Sequence, residues 1–283
     1  MRRHTGRGPA EPRFTFAVVG HDEAETLGDA LEAAFAAAHD GDEVCFVDSA
    51  STDDSRAVAA RLGAEVVPAQ LGKGRAVGAA LARCRTSHVC LLDADVEASS
   101  VNLAARLRAA ALETGADMVV GEAQVPDRRR SVTPAVYEPL VDALFPEASR
   151  PPRRRPLSGF RVLVAEHARG HLPPGYGVEA HLNVAWALDG RRTALVELGL
   201  MRGPVRGYAN VPRIAREVAG TLLDLAVERG RVTESERAAW DDWAETVIEA
   251  IAAQPPPGEP DEAYLRRLRR ARDRRLPRAR AAR

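Results

Sequence analysis

Short apolar runs alternate with helical-period segments along the first 120 or so residues. Phe14–Val19 is apolar and stops at Gly20, after which Leu27, Leu31 and Phe35 recur at helical spacing up to Asp40-Gly41. That pairing predicts a strand followed by a packed helix. Val44–Val47 predicts a second strand. It runs into Ser49-Ala50-Ser51-Thr52-Asp53-Asp54-Ser55, where Thr52 or Asp53 is expected to cap a helix reaching Leu62-Gly63. Ala64–Val67 predicts a third strand, and Gly72-Lys73-Gly74 leads into a helix over about Arg75–Arg85. His88–Leu92 predicts a fourth strand, ending in Asp93-Ala94-Asp95. Ser99 or Ser100 is the expected cap of the next helix, Gly115 its stop, and Asp117–Val120 a fifth strand.

Strands separated by single helices imply an α/β protein with a mostly parallel sheet covered on both faces. Such sheets bind ligands beyond the carboxyl ends of their strands. The polar groups His21-Asp22-Glu23, Asp48-Ser49, Gly72-Lys73-Gly74 and Asp93-Ala94-Asp95 therefore converge at one sheet edge.

Beyond Gly121 the pattern is irregular and rich in proline and arginine, which suits loops over a site. Apolar runs resume at Arg161–Val164 and Thr193–Leu198, and two amphipathic helices are expected from Ile214 to about Ala253. The predicted organisation is a disordered leader (1–13), a regular α/β half (14–121), an irregular second half (122–209), C-terminal helices (210–254) and a Pro-rich linker with an Arg-rich tail (255–283).

Forty basic and forty acidic residues in 283 cancel, which removes the electrostatic argument for nucleic acid or a membrane surface as partner. The balance is uneven, with ten arginines against three acids in 261–283. Three cysteines, Cys45, Cys84 and Cys90, form neither a disulfide framework nor a metal spacing. No apolar stretch approaches the ~18 residues of a membrane span, and the leader has no apolar region, so a cytoplasmic setting is expected. Lys73 is the sole lysine.

Two carboxylates two residues apart, Asp93 and Asp95, repel unless a cation relieves them, and Mg²⁺ bridging to a diphosphate is a natural relief. Lys73 between two glycines offers a point charge to phosphate, with Gly72 allowing close backbone approach. Asp48 and Ser49 sit at a strand tip facing a nucleotide. Glu179, in Pro174-Gly175-Tyr176-Gly177-Val178-Glu179, would contact sugar hydroxyls, act as a base or cap the helix suggested by Leu182–Leu188, and local physics favours the cap.

Read in order, VDSASTDDS (48–55 with its preceding valine), LGKG (71–74), LLDADV (91–96), RPLSG (155–159) and PGYGVE (174–179) resemble the glucosyl-3-phosphoglycerate synthases. These are nucleotide-sugar glycosyltransferases of GT-A fold, related to the family-2 group. The resemblance covers roughly residues 14 to 210 and implies a nucleotide-sugar-binding half over 14–121 and an acceptor-binding half over 122–209. It implies a GT-A architecture, a Rossmann-like sheet flanked by helices with further C-terminal helices, and retaining transfer from a nucleoside diphosphate sugar such as UDP-glucose with Mg²⁺ or Mn²⁺. Carried over, Asp95 binds the metal, Asp93 lies near ribose and metal, Lys73 holds the diphosphate, and Glu23 and Ser49 contact the nucleoside. Glu179 falls in the sugar or acceptor region, with Asp95 and Glu179 as the catalytic pair. Arg130, Thr133, Gly159 and Tyr176 form the acceptor side, and a homodimer is implied.

Three positions depart from the family strings. Phe160 stands where a carboxylate is expected, Gly203 where a histidine metal ligand is expected, and Ser131-Val132-Thr133 where phosphoglycerate is recognised through R-V-T. The acceptor is therefore expected to differ from 3-phosphoglycerate. Two other readings are a sugar nucleotidyltransferase, which needs a glycine-rich basic loop where Gly20-His21-Asp22-Glu23-Ala24-Glu25 stands, and a nucleotide-sugar-binding protein without catalysis.

Overall fold

Both faces of the central strands are buried, so each reads as a continuous apolar run while its side chains alternate between two cores. Phe14, Phe16 and Val18 enter one core and Ala17 and Val19 the other; Cys90 and Leu92 likewise oppose Val89 and Leu91. The computed structural model describes residues 12–95, 102–124, 132–148, 155–168, 170–200, 210–253, 261–274, 276–277 and 279.

The strands are β1 (Phe14–Gly20), β2 (Glu43–Ser49), β3 (Glu65–Ala69), β4 (His88–Asp93), β5 (Met118–Gln124), β6 (Arg161–Val164) and β7 (Thr193–Leu200), forming one sheet in the order β3-β2-β1-β4-β6-β5-β7. β6 runs antiparallel to both neighbours, β4 and β5, and every other pairing is parallel. The mostly parallel sheet is as expected. Its completion is not: the boundary placed at 121 falls inside β5, and β6 from the second half is inserted between strands of the first.

Helices α1 (Leu27–Ala37), α2 (Ser55–Arg61) and α4 (Leu103–Thr114) cover one face. On the other lie α3 (Lys73–Arg83), α5 (Glu138–Leu144), α6 (Val178–Leu188), α7 (Val211–Glu228), α8 (Glu234–Ala252) and α9 (Asp261–Arg272). Asn102 caps α4 by accepting from the Ala105 N–H at 3.0 Å, whereas Ser99 and Ser100 lie outside the described residues. Gly115 ends that helix in the left-handed conformation, as expected. The Arg-rich segment is not merely a tail, because α9 buries Tyr264, Leu268 and Ala271 in the larger core, with Arg267 over the Tyr264 ring and Arg266, Arg269 and Arg270 exposed. A π-helical turn, Thr133–Tyr137, leads into α5. All three cysteines are free and buried.

One charged pair anchors the sheet's far end. Asp42 accepts from the Phe14 N–H at 2.8 Å and pairs with Arg108 of α4, whose guanidinium lies 4.7 Å from the centre of the Phe14 ring.

Candidate active site

At the carboxyl end of the sheet the loops after β1 and β2 are laced together. Asp22, at φ 56°, accepts from the N–H groups of Thr52 at 2.6 Å and Asp53 at 3.3 Å. In return the N–H groups of Asp22, Glu23 and Ala24 donate to Ser51 Oγ, Ser55 Oγ and Asp53 Oδ2 at 2.9–3.0 Å. Asp53 also accepts from the Ser55 N–H at 3.0 Å, but the N-cap of α2 is Asp54, whose side chain makes no cap bond, so neither Thr52 nor Asp53 is the cap expected. Glu23 is buried beneath this lacework.

Asp48 was expected to face a nucleotide. It is instead fully buried, with one oxygen accepting from the Ser51 N–H at 2.9 Å and the other from Arg56 Nε at 2.5 Å. Burial would raise its pKa, but these donors outweigh it and hold the carboxyl below the ordinary range. Asp48 shapes the turn that places Ala50 at φ 60°. Ser49 Oγ accepts from the Gly72 N–H at 3.1 Å, tying the tip of β2 to the entrance of α3.

Lys73 opens α3, and its Nζ lies 3.1 Å from Asp93 Oδ1 and 2.6 Å from Glu179 Oε1. Burial disfavours the ammonium, yet the two carboxylates prevail and hold its pKa well above the ordinary lysine range. Three residues singled out separately thus form one cluster. Asp93 reaches it because it shares the face of Leu91, the side of the sheet on which α3 and α6 pack. Glu179 reaches it from the first turn of α6, whose N-cap is Gly177. The helix-cap reading of Glu179 is therefore overturned: its carboxylate is 5% exposed and turned to Lys73.

The glycines around Lys73 have a different task from cradling phosphate. Gly74 N–H donates to the Gly175 carbonyl and Arg75 N–H to the Pro174 carbonyl, both at 3.1 Å, so these amides at the start of α3 are already engaged. A Cβ on Gly74 would overlap the Pro173 oxygen, and Gly72 has φ 135° with its own Cβ position against Pro174. Close approach is real, but the partner is the 173–175 backbone. That segment is held from beyond by α7: Glu217 Oε2 accepts from the Tyr176 N–H at 2.7 Å, while Arg213 pairs with Glu217 and lies 5.6 Å from the Tyr176 ring centre.

Gly159 was assigned to the acceptor side, and the structure sets it against Asp93, where a Cβ would overlap both carboxylate oxygens. Next to it, Phe160 turns into the α1/α4 core, so the position where the family strings carry a carboxylate is filled with apolar packing on the opposite face from Lys73.

Sequence reasoning missed Arg161. It is fully buried, with Nε donating to the Ser158 carbonyl at 2.7 Å, one terminal nitrogen to the Pro156 carbonyl at 2.6 Å and the other to Asn183 Oδ1 at 2.7 Å. Asn183 in turn donates to the Tyr137 hydroxyl at 3.1 Å. Burial pushes the Tyr137 pKa up to about 12. Arg161 shares a cavity of about 10 Å³ with Lys73, Asp93, Glu179 and Gly159. The signal available was an arginine opening a short apolar run.

Asp95 lies half-buried at the tip of β4. Among the described residues no three acidic, histidine or cysteine side chains gather as a metal site. Thr133 begins the π-helical turn, half-buried; Arg130, Ser131 and Gly203 lie outside the described residues. No described helix is long and apolar enough to cross a membrane.

The glucosyl-3-phosphoglycerate synthase of Mycolicibacterium paratuberculosis is 30% identical over 234 residues, 71% of this chain and 69% of that protein. The Mycobacterium tuberculosis synthase in complex with Mn²⁺, UDP-glucose and phosphoglyceric acid superposes with TM-score 0.66 at 28% identity, covering 77% of this chain and 80% of that one. The same enzyme with Mg²⁺ and UDP gives TM-score 0.67 at 28% identity over 76% and 79%. The family model for glycosyl transferase family 2 matches residues 15–162, which contain the β1 and β2 tips, Lys73 and the Asp93–Asp95 pair. With the sheet, the converging strand tips and these matches in agreement, the chain is a glycosyltransferase that belongs to glycosyl transferase family 2.

Proposed function

We propose that the protein transfers a sugar, glucose in the first instance, from a uridine diphosphate sugar to a small anionic acceptor, with retention at the anomeric carbon and with Mg²⁺ or Mn²⁺. The observation that carries this reading is the cluster of Lys73, Asp93 and Glu179 at the sheet's carboxyl edge, beside the tip that bears Asp95.

The donor set suits a hard divalent cation. Asp95 stands at the strand tip close in sequence to Asp93, and magnesium sites commonly use one or two carboxylates with phosphate oxygens completing the shell. A bound cation would supply neutralisation of the leaving diphosphate. The chain's own groups do the rest. Glu23 and Ser49 form the nucleoside end, Lys73 places a positive charge where the diphosphate's charge grows, and Glu179 meets the sugar. Tyr176 and Arg213, with Thr133, form the acceptor side, and Gly159 sets the position of Asp93. The molecule works as a cytoplasmic homodimer.

The test is calorimetric titration of UDP-glucose and GDP-glucose with and without Mn²⁺, followed by donor turnover with anionic acceptors for wild type and Asp95→Ala. Metal-dependent UDP-glucose binding and loss of turnover in Asp95→Ala are expected. Absence of binding by any nucleotide sugar, or equal turnover in the variant, would overturn the reading.

A further inference from the structure

Arg161 carries a buried charge that no described carboxylate contacts. Its hydrogen bonds go to two carbonyls, an amide oxygen and the Met118 thioether, all neutral, so its counter-charge comes through space from Glu179 and Asp93 rather than from a direct partner. Around the same small cavity stand Lys73, Asp93 and Glu179, one cation with two anions. That trio is net negative, and Arg161 brings the group to neutrality. The β6 insertion accounts for its place, because Arg161 shares the face of Leu163 and thus points to the α3/α6 side.

We propose that Arg161 is a positioning residue whose fixed charge lets Lys73 leave Asp93 and Glu179 for an incoming diphosphate. This rests on the nucleotide-sugar reading above. In the structure Lys73 is committed to the carboxylates, so it reaches a phosphate only by parting from them. Doing so without Arg161 would strand two buried anions, and buried uncompensated charge is strongly unfavourable. With Arg161 held by Pro156, Ser158 and Asn183, the pair keeps a counter-charge that cannot follow the lysine. The guanidinium suits the task because it stays protonated in a buried site and is fixed by its planar fork of donors.

The diagnostic quantity is the affinity for UDP divided by that for uridine, both measured by calorimetry on the full chain. A merely structural role for Arg161 would weaken both ligands together and leave this ratio unmoved. Arg161→Met is expected to lower the ratio about tenfold, one unit of coupling between charges. The double variant Arg161→Met with Glu179→Gln restores neutrality with Lys73 and Asp93 alone, and its ratio is expected within about threefold of wild type. An unchanged ratio in Arg161→Met, or a double variant that folds with the ratio still depressed, overturns the proposal. If Arg161→Met alone fails to fold, the double variant decides by the same ratio. If neither folds, Arg161→Lys decides, since it keeps the charge and loses the fork: a wild-type ratio supports the proposal and a depressed one overturns it. A wild type that binds uridine and UDP equally, or neither, refutes the nucleotide-sugar reading and the proposal with it.

Discussion

Lys73 Nζ and Glu179 Oε1 lie 2.6 Å apart, although the first belongs to the start of α3 and the second to the first turn of α6. They meet because the amides of Gly74 and Arg75 take the carbonyls of Gly175 and Pro174, which docks one helix entrance on the other. The pair is asymmetric. Removing Lys73 leaves Asp93 and Glu179 facing each other, whereas removing the charge of Glu179 leaves Lys73 still paired with Asp93. Lys73→Met should therefore destabilise the fold, by less than the about 3–5 kcal/mol of an uncompensated buried pair because Arg161 stays beside the two carboxylates, and Glu179→Gln by less again. Urea denaturation of both variants checks the order, and both should lose glycosyl transfer.

Gly159 tests the geometry around Asp93 without touching any charge. An added methyl would overlap both carboxylate oxygens, so Asp93 must turn away from Lys73. Gly159→Ala should lower turnover about a hundredfold, the scale of a 1 Å misplacement, while the protein still melts cooperatively. Steady-state kinetics beside a thermal melt measures this.

Two glycines of one helix should answer oppositely. Gly74→Ala would drive a methyl into the Pro173 carbonyl, backbone against backbone, and should destabilise by more than about 2 kcal/mol while disconnecting Glu179 from Lys73. Gly78 faces open space within α3, and Gly78→Ala should stabilise by about 0.5–1 kcal/mol because alanine loses less backbone entropy in a helix. Chemical denaturation of the two variants side by side gives the sign of each.

Far from the site, Asp42 neutralises Arg108 and receives the Phe14 N–H. Asp42→Ala strands a nearly buried guanidinium at the start of β1 and should cost about 3–5 kcal/mol. Asp42→Ala with Arg108→Met should recover much of it, as a double-mutant cycle would show.

Asp48 makes a pH prediction. Its folded pKa lies below the ordinary value, so its contribution to stability is present above the unfolded pKa of about 3.9 and is lost as pH falls through the depressed folded value. Wild type should then lose stability in this acid window more steeply than Asp48→Asn, which carries no titrating group there. Denaturation midpoints taken at stepped pH from about 5 to 2 measure the two slopes.

Particular residues show how much was legible in the chain. The strands announced themselves because apolar runs bounded by glycine and polar caps have few other uses, and Gly115 ends α4 as its place after the helical period required. Asp93, Lys73 and Glu179 were each visible as unusual residues after a strand or within a glycine-flanked string. Their meeting was not, since it depends on α3 and α6 docking across a hundred residues of chain. Arg161 was invisible for a related reason. An arginine at the start of a four-residue apolar run reads as an edge residue, and only the antiparallel insertion of β6 between β4 and β5 places it in the core.

The sequence by itself determined the alternation of elements, the sheet edge at which polar groups collect and, through five ordered strings, the family. Local periodicity and turn chemistry act between near neighbours, so one chain is enough to read them. The tertiary structure alone decided what each polar group does: that Asp48 braces a turn, that the glycines beside Lys73 admit backbone, and that Lys73 answers to two carboxylates with Arg161 behind them. Charge pairing and burial are set by distances through space between segments remote in sequence, and those distances exist only once the sheet has closed around them.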